Sequence, residues 1–174
     1  MTQALSTFAP NEVSVVISQN STGITHVVSG YGADTMVMVE RNSDTFDLYV
    51  GADDTTTRIY KSNTAGKVTL HLQQTSSSND ILTLLYNNDR TARDSSTLFS
   101  VHIKDNSGRS YYFADQAFIG VVPHSQFGNS MQLREWVLHL PNMESYIGGN
   151  SVVSPSDAQT IAALGGTVAP QWQQ

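Results

Sequence analysis

No cysteine occurs in the chain, so neither a disulfide framework nor a thiolate metal site can be built. Charge is scarce as well. Asp, Glu, Lys and Arg make up 14% of the residues, against roughly a quarter in ordinary soluble domains. The nine basic residues form no run, which argues against a groove that grips phosphates, though not against DNA passing by unheld. Long hydrophobic runs are missing, and those present fall far short of a membrane span. His26, His71, His102, His124 and His139 lie on separate segments without i,i+2 or i,i+4 pairing, so there is no zinc pattern. His71 and His102 are expected at the surface. Neither a G-x-S-x-G elbow nor a glycine-rich phosphate loop is found. Asp44, Asp47, Asp53 and Asp54 crowd together but lack the glycine and terminal glutamate of a calcium loop. Met1 to Asn11 is polar, without the charged start and apolar core of a signal peptide, and the expectation is synthesis in a cytoplasm. Nothing here points to an enzyme or to a cofactor.

What the chain does have is enough apolar material for one core, 39% of 174 residues, and many Ser, Thr, Asn and Gln in place of charge. Such weakly charged, hydroxyl-rich surfaces suit extended β structure or broad protein contact. The net charge is −6.

Period-two alternation dominates. Val13, Val15 and Ile17 share one face of a strand over Glu12–Ser18, and a second β-prone stretch spans Ile24–Val28. Thr35 to Glu40 reads as apolar on both faces, which in a small β domain suggests that one side meets a partner subunit. Arg41 to Gly66 reads as a long projecting hairpin: Phe46, Leu48 and Val50 alternate with Asp47 and Tyr49, and Gly51-Ala-Asp-Asp54 turns the chain. Val68, Leu70 and Leu72 define the clearest strand. A helix of about three turns follows, with a capping box at Ser77 and Asp80, apolar Ile81, Leu82, Leu84 and Leu85, and an end at Asn87-Asn88. Phe99, Val101 and Ile103 mark the next strand, Asp105-Asn-Ser-Gly108 a turn, and Ala114-Asp115-Gln116 a bulge or bend in the returning strand. Met131 to Leu140 is the last long strand, carrying Trp136, Val137 and Leu138 beside Arg134-Glu135. Composition shifts after Asn150. Ser154-Pro-Ser-Asp157 is a second capping box, and Gly165 stops the short helix behind it. The expected division is a β domain over residues 1–150 and a helix-and-tail extension over residues 151–174, which docks on the core or on a neighbour.

A series of short strings, in order and at compatible spacing, resembles the tail tube proteins of contractile-tailed phages. They are Met38-Val-Glu-Arg41, Asp44-Thr-Phe46, Val50-Gly-Ala-Asp53, Lys61-Ser-Asn63, Gly66-Lys-Val-Thr-Leu70 and Leu72-Gln-Gln-Thr-Ser-Ser-Ser-Asn-Asp-Ile81. Val101-His-Ile-Lys-Asp105, Tyr112-Phe-Ala114, Arg134-Glu-Trp136 and Tyr146-Ile-Gly-Gly-Asn150 continue the series. The resemblance covers about residues 12 to 150, and Ser151 onward departs from the pattern.

The resemblance implies a mainly β fold: a β-sandwich or half-barrel with one flanking helix, a long projecting hairpin and a C-terminal helical extension. It implies a non-catalytic virion subunit whose hexameric rings stack into a hollow tube, a conduit for double-stranded DNA that is not specifically bound. The implied partners are further copies of the chain, a sheath protein, a tape measure protein, and baseplate and tail terminator proteins; assembly would take place in the host cytoplasm. On this reading Phe46, Tyr49, Arg58 and Tyr60 are candidates for contact between rings, and Met36, Met38 and Glu40 for a strand between subunits. Asp47, Asp53 and Asp54 are candidates for the lumen or a ring contact. Two alternatives stay open: a tube subunit of a headless phage-tail-like particle, and a soluble β-sandwich binding module for carbohydrate or protein.

Overall fold

The structure is a computed structural model that describes residues 5–173. After a 3-10 turn come β1 (Val13–Gln19), β2 (Ile24–Val27), β3 (Val37–Arg41), β4 (Phe46–Val50), β5 (Thr56–Tyr60) and β6 (Gly66–Gln73). Helix α1 (Ser78–Ala92) precedes β7 (Phe99–Asp105), β8 (Tyr111–Val121), β9 (Leu133–Leu140) and β10 (Glu144–Tyr146). A second helix, α2 (Pro155–Ala163), closes the order. The strands of the main sheet run β2-β1-β7-β8-β9-β6-β3, with β10 added to β8, while β4 and β5 pair only with each other. All these ladders are antiparallel. The mainly β architecture expected from the alternation is the one found.

Strand β8 is the corner. Its first half pairs with β7 and its second half with β9. Between them Asp115 and Gln116 stand opposite Ser100 alone, because the register moves from Val101↔Ala114 to Phe99↔Ala117. This is the bulge that the polar interruption foretold, and an extra residue on one strand bends it and increases its twist. A second irregularity places Gly120 between Ile119↔Leu138 and Val121↔Val137. A Cβ there would lie 2.0 Å from Cδ2 of His139, whose ring stacks on Phe118 at 5.4 Å. Only glycine lets the two strands approach so closely.

The bend folds the sheet around one core. Val15 and Ile17 of β1, Val68, Leu70 and Leu72 of β6, Phe99, Val101 and Ile103 of β7, and Trp136, Leu138 and Leu140 of β9 all lie inside it. Each fully buried aliphatic side chain contributes roughly 1.5–3 kcal/mol. Helix α1 adds Leu82 and Leu85, but Leu84, expected on the same face, is exposed.

Local differences have physical causes. The capping box at Ser77 and Asp80 does not form. Instead Ser76 Oγ accepts from the Ser78 amide at 3.2 Å, and Asn79 Nδ2 donates to the carbonyls of Gln73 and Ser76. Ser78 turns its hydroxyl inward, where it meets the Ser29 amide at 3.1 Å and His26 Nε2 at 2.9 Å. Three consecutive serines offered equivalent hydroxyls, and tertiary partners chose among them. Helix α1 also runs on past Asn87-Asn88 to Ala92 and ends at left-handed Arg93 (φ 57°). His71 is half-buried rather than at the open surface, because the chain entering β3 covers it: Gly32 N donates to its carbonyl and its own amide donates to Met36 O.

Of the second capping box the serine half forms, with Ser154 Oγ accepting from the Asp157 amide at 3.2 Å while its hydroxyl donates to the Asp157 carboxylate at 2.8 Å; Pro155 is in the first turn and Gly165 (φ 84°) lies just after the helix. Residues 151–173 close on themselves through Val153 N donating to Trp172 O at 2.7 Å. Arg109 ties them to the sheet: its Nη1 donates to Ser151 O at 2.6 Å and its guanidinium lies 5.4 Å from the Trp172 ring. No residue of α2 is buried.

Candidate assembly interface

The β4–β5 hairpin is the most exposed apolar element. Its register is Phe46↔Tyr60, Leu48↔Arg58 and Val50↔Thr56 on one face, with Asp47↔Ile59 and Tyr49↔Thr57 on the other. Phe46, Arg58 and Tyr60 are therefore brought together: the guanidinium sits 3.6 Å from the Phe46 centroid and the Phe46 and Tyr60 rings are 5.7 Å apart. Such a cation–π stack presets the arginine for a contact. Tyr49 stands on the opposite face. Leu48, 71% exposed, and Val50 lie beside Phe46; the same period-two pattern that singled out Phe46 also marks them, although they carry no polar handle.

The three acidic candidates separate. Asp47 pairs with Lys61 on the Tyr49 face. Asp53 and Asp54 are at the apex, where Asp54 takes a left-handed φ of 63°. Thr55 donates both its amide and its hydroxyl to Asp53 Oδ1 at 3.3 and 2.6 Å, and these bonds hold the Asp53 carboxyl below its usual range.

The strand candidates lie at one end of the sheet. Met36 immediately precedes β3, and its carbonyl accepts from His71 N at 3.0 Å. Val37 and Val39 face the core, whereas Met38 and Glu40 face outward, Glu40 paired with Lys67 at 2.9 Å. The strand is thus apolar on both sides, with Val37 and Val39 packed on the core and Met38 exposed on the other face. Among the described residues the outer edge of β3 has no strand beyond it, and neither does β2 at the far end, where Ile24 and Val27 are exposed. Opposite ends of one sheet are left open, an arrangement that an isolated β domain usually blunts.

One residue escaped the sequence reading. Arg134 points to the core face of β9 in register with Trp136, Leu138 and Leu140, and is only 8% exposed. Its neighbour in the Arg134-Glu135 pair faces the other way, Glu135 lying outward and meeting His71 at 3.6 Å. The signal was the alternation itself.

The model of the bacteriophage PhiTE tail tube protein family matches residues 5–148. The chain belongs to this tail tube family. Structural protein ORF10 of Pseudomonas phage KPP10 is 47% identical over 167 residues, 96% of either chain. That similarity takes in most of residues 151–174, which lie beyond the family match. Among solved structures, the tube-terminating cap of the anti-feeding prophage has a TM-score of 0.55 at 9% identity, over 84% of this chain and 95% of that one; the likeness is one of fold. A tail tube protein is a structural virion component and not an enzyme, which sets aside the soluble binding module as well.

Proposed function

We propose that the chain forms hexameric rings which stack into the inner tube of a contractile phage tail, through which double-stranded DNA passes. The observation that carries this reading is the combination of two open edges at opposite ends of one sheet with a hairpin that pairs only with itself. Head-to-tail pairing of β3 of one copy with β2 of the next closes a ring and leaves no bare edge. The hairpin, with Phe46, Leu48, Arg58 and Tyr60 on one face, reaches the adjacent ring. Met38 and Glu40 sit at the lateral contact and Tyr49 on the hairpin's flank.

The net charge of −6 repeated around a channel repels phosphates, so DNA slides without sticking. Asp47 is the candidate for the lumen, and Asp53 and Asp54 serve the contact between rings. Kinship with a phage structural protein favours a phage over a headless particle. A sheath, a tape measure protein, and baseplate and terminator proteins complete the partner set. Residues 151–174 are an extension beside the β domain.

Negative-stain microscopy of the purified protein at high concentration tests the reading. Rings or tubes are the expected result. A monomer under all salt conditions would overturn it, and normal tubes from a variant lacking Phe46–Tyr60 would remove the hairpin from the stacking contact.

A further inference from the structure

A buried cation without an anion stands at the end of the β9 core row. Arg134 is nine-tenths buried, and among the described residues the ion pairs are Lys61–Asp47, Lys67–Glu40 and His71–Glu135, none of which involves it. Its one side-chain hydrogen bond there is a long one, Nη1 donating to the His124 carbonyl at 3.4 Å. A guanidinium carries five N–H donors, so most of its capacity has no protein acceptor. Burial of an ion is unfavourable unless an opposite charge or a full set of acceptors compensates.

The guanidinium lines a recess of about 380 Å³ whose walls include Asn79, Thr83, Val122, Phe127 and Trp136. Asn79 and Thr83 belong to the first turns of α1. Phe127 lies over Arg134, 5.4 Å from ring centroid to guanidinium carbon, and is 81% exposed. The recess is therefore positive at its floor and apolar at its rim, a combination that suits a carboxylate on a partly apolar protein segment better than a free ion.

The chain itself carries such a segment. Asp53-Asp54 is the one place where two acidic residues are adjacent in the sequence. It forms the apex of a hairpin that pairs only with itself, with exposed Leu48 and Val50 just behind it. Thr55 occupies one oxygen of Asp53 and leaves the other free. We infer that the recess beneath Phe127 receives the Asp53-Asp54 apex of a second copy, whose carboxylates pair with Arg134. This rests on the proposed stacking of rings through the hairpin.

Because the chain has no cysteine, introduced thiols report on single positions. Ala52→Cys, at the exposed apex beside the two carboxylates, combined with Ser125→Cys, which lines the recess, should give a ladder of covalent multimers when assembled protein is treated with a disulfide oxidant; either single variant should give no ladder. Tubes of the double variant seen by microscopy without a ladder would overturn this inference and leave ring stacking intact. Absence of assembly in the unmodified protein would instead overturn the stacking itself. Arg134→Met removes the charge while retaining apolar bulk. It should raise the concentration needed for assembly at least tenfold with the melting temperature unchanged or higher. Assembly at the unmodified protein's concentration would refute the role of Arg134.

Discussion

Replacing Leu48 by Ser separates folding from assembly. Leu48 is 71% exposed and sits on a hairpin that pairs only with itself, so within a single chain the substitution exchanges one solvated side chain for another. Changes of that kind stay within about 0.5 kcal/mol. At roughly 2–4 °C per kcal/mol for a chain of this size, the melting temperature should shift by no more than about 2 °C. In the proposed stacking the same leucine would be buried between rings beside Phe46 and Arg58, and its loss would remove about 1.5–3 kcal/mol per contact. With about 1.4 kcal/mol to each factor of ten, every contact weakens by roughly 10- to 100-fold, and every subunit of a ring repeats the loss. Tyr49→Ser on the opposite face should have the smaller effect. Thermal melts by circular dichroism, together with sedimentation velocity over a concentration series, measure both quantities. Assembly of Leu48→Ser at the unmodified protein's concentration would refute the assignment of this face. A fall of more than about 5 °C in melting temperature would show that the hairpin packs on its own domain.

Gly120→Ala should destabilise the fold by about 1–3 kcal/mol, the usual cost of overpacking, because its new Cβ would lie 2.0 Å from His139; a calorimetric scan will show the lower transition. Trp136→Phe should cost about 1–3 kcal/mol in a urea titration, since it strands Asn79 Oδ1, which accepts from the indole N–H at 2.9 Å. Asp105 supplies a pH dependence. Burial pushes its carboxyl up, but hydrogen bonds from Ser107 and Asn150 outweigh this and hold it below the usual value. A lowered folded value means that the stabilisation is fully present above the ordinary carboxylate range and is lost as pH falls through the lowered value. Asp105→Asn should therefore flatten the loss of stability below about pH 4, as read from urea titrations at several pH values.

Much of the fold was legible because each core strand is buried on one face only. Alternation in Val13–Ile17, Val68–Leu72 and Phe99–Ile103 reports that directly, and the bulge at Asp115-Gln116 was visible as two polar residues where alternation called for one. What was hidden depended on partners distant in sequence. Which of three serines caps α1 is decided by Ser29, His26 and Gln73. His71 is covered by a segment some forty residues earlier. The hairpin itself is visible in the alternation on either side of Gly51–Asp54, but the division of its residues between faces follows from the Phe46↔Tyr60 register, which a four-residue turn signal alone does not fix. Arg134 was legible in principle, since it keeps step with Trp136, Leu138 and Leu140; the charge itself argued against placing it inward.

The exposed features also constrain each other. Low charge, 14% of residues, gives little electrostatic protection against unwanted association, and β2 carries only His26 as a titratable group on an open edge. Edges of this kind invite indiscriminate pairing. Two properties limit it here. Both edge strands are short, spanning Ile24–Val27 and Val37–Arg41, so a chance partner gains few ladder bonds. The edges also lie at opposite ends of a sheet bent at Asp115-Gln116 and Gly120, so only a partner at one fixed angle can continue it. In the proposed ring each weak lateral contact would depend on all the others, and the hairpin, whose apolar face is uncovered among the described residues, would be covered by a neighbouring ring. The same scarcity of charge that leaves a monomer poorly protected would leave the proposed tube with few surfaces that repel one another, so that the few carboxylates at the hairpin apex could act as selective contacts.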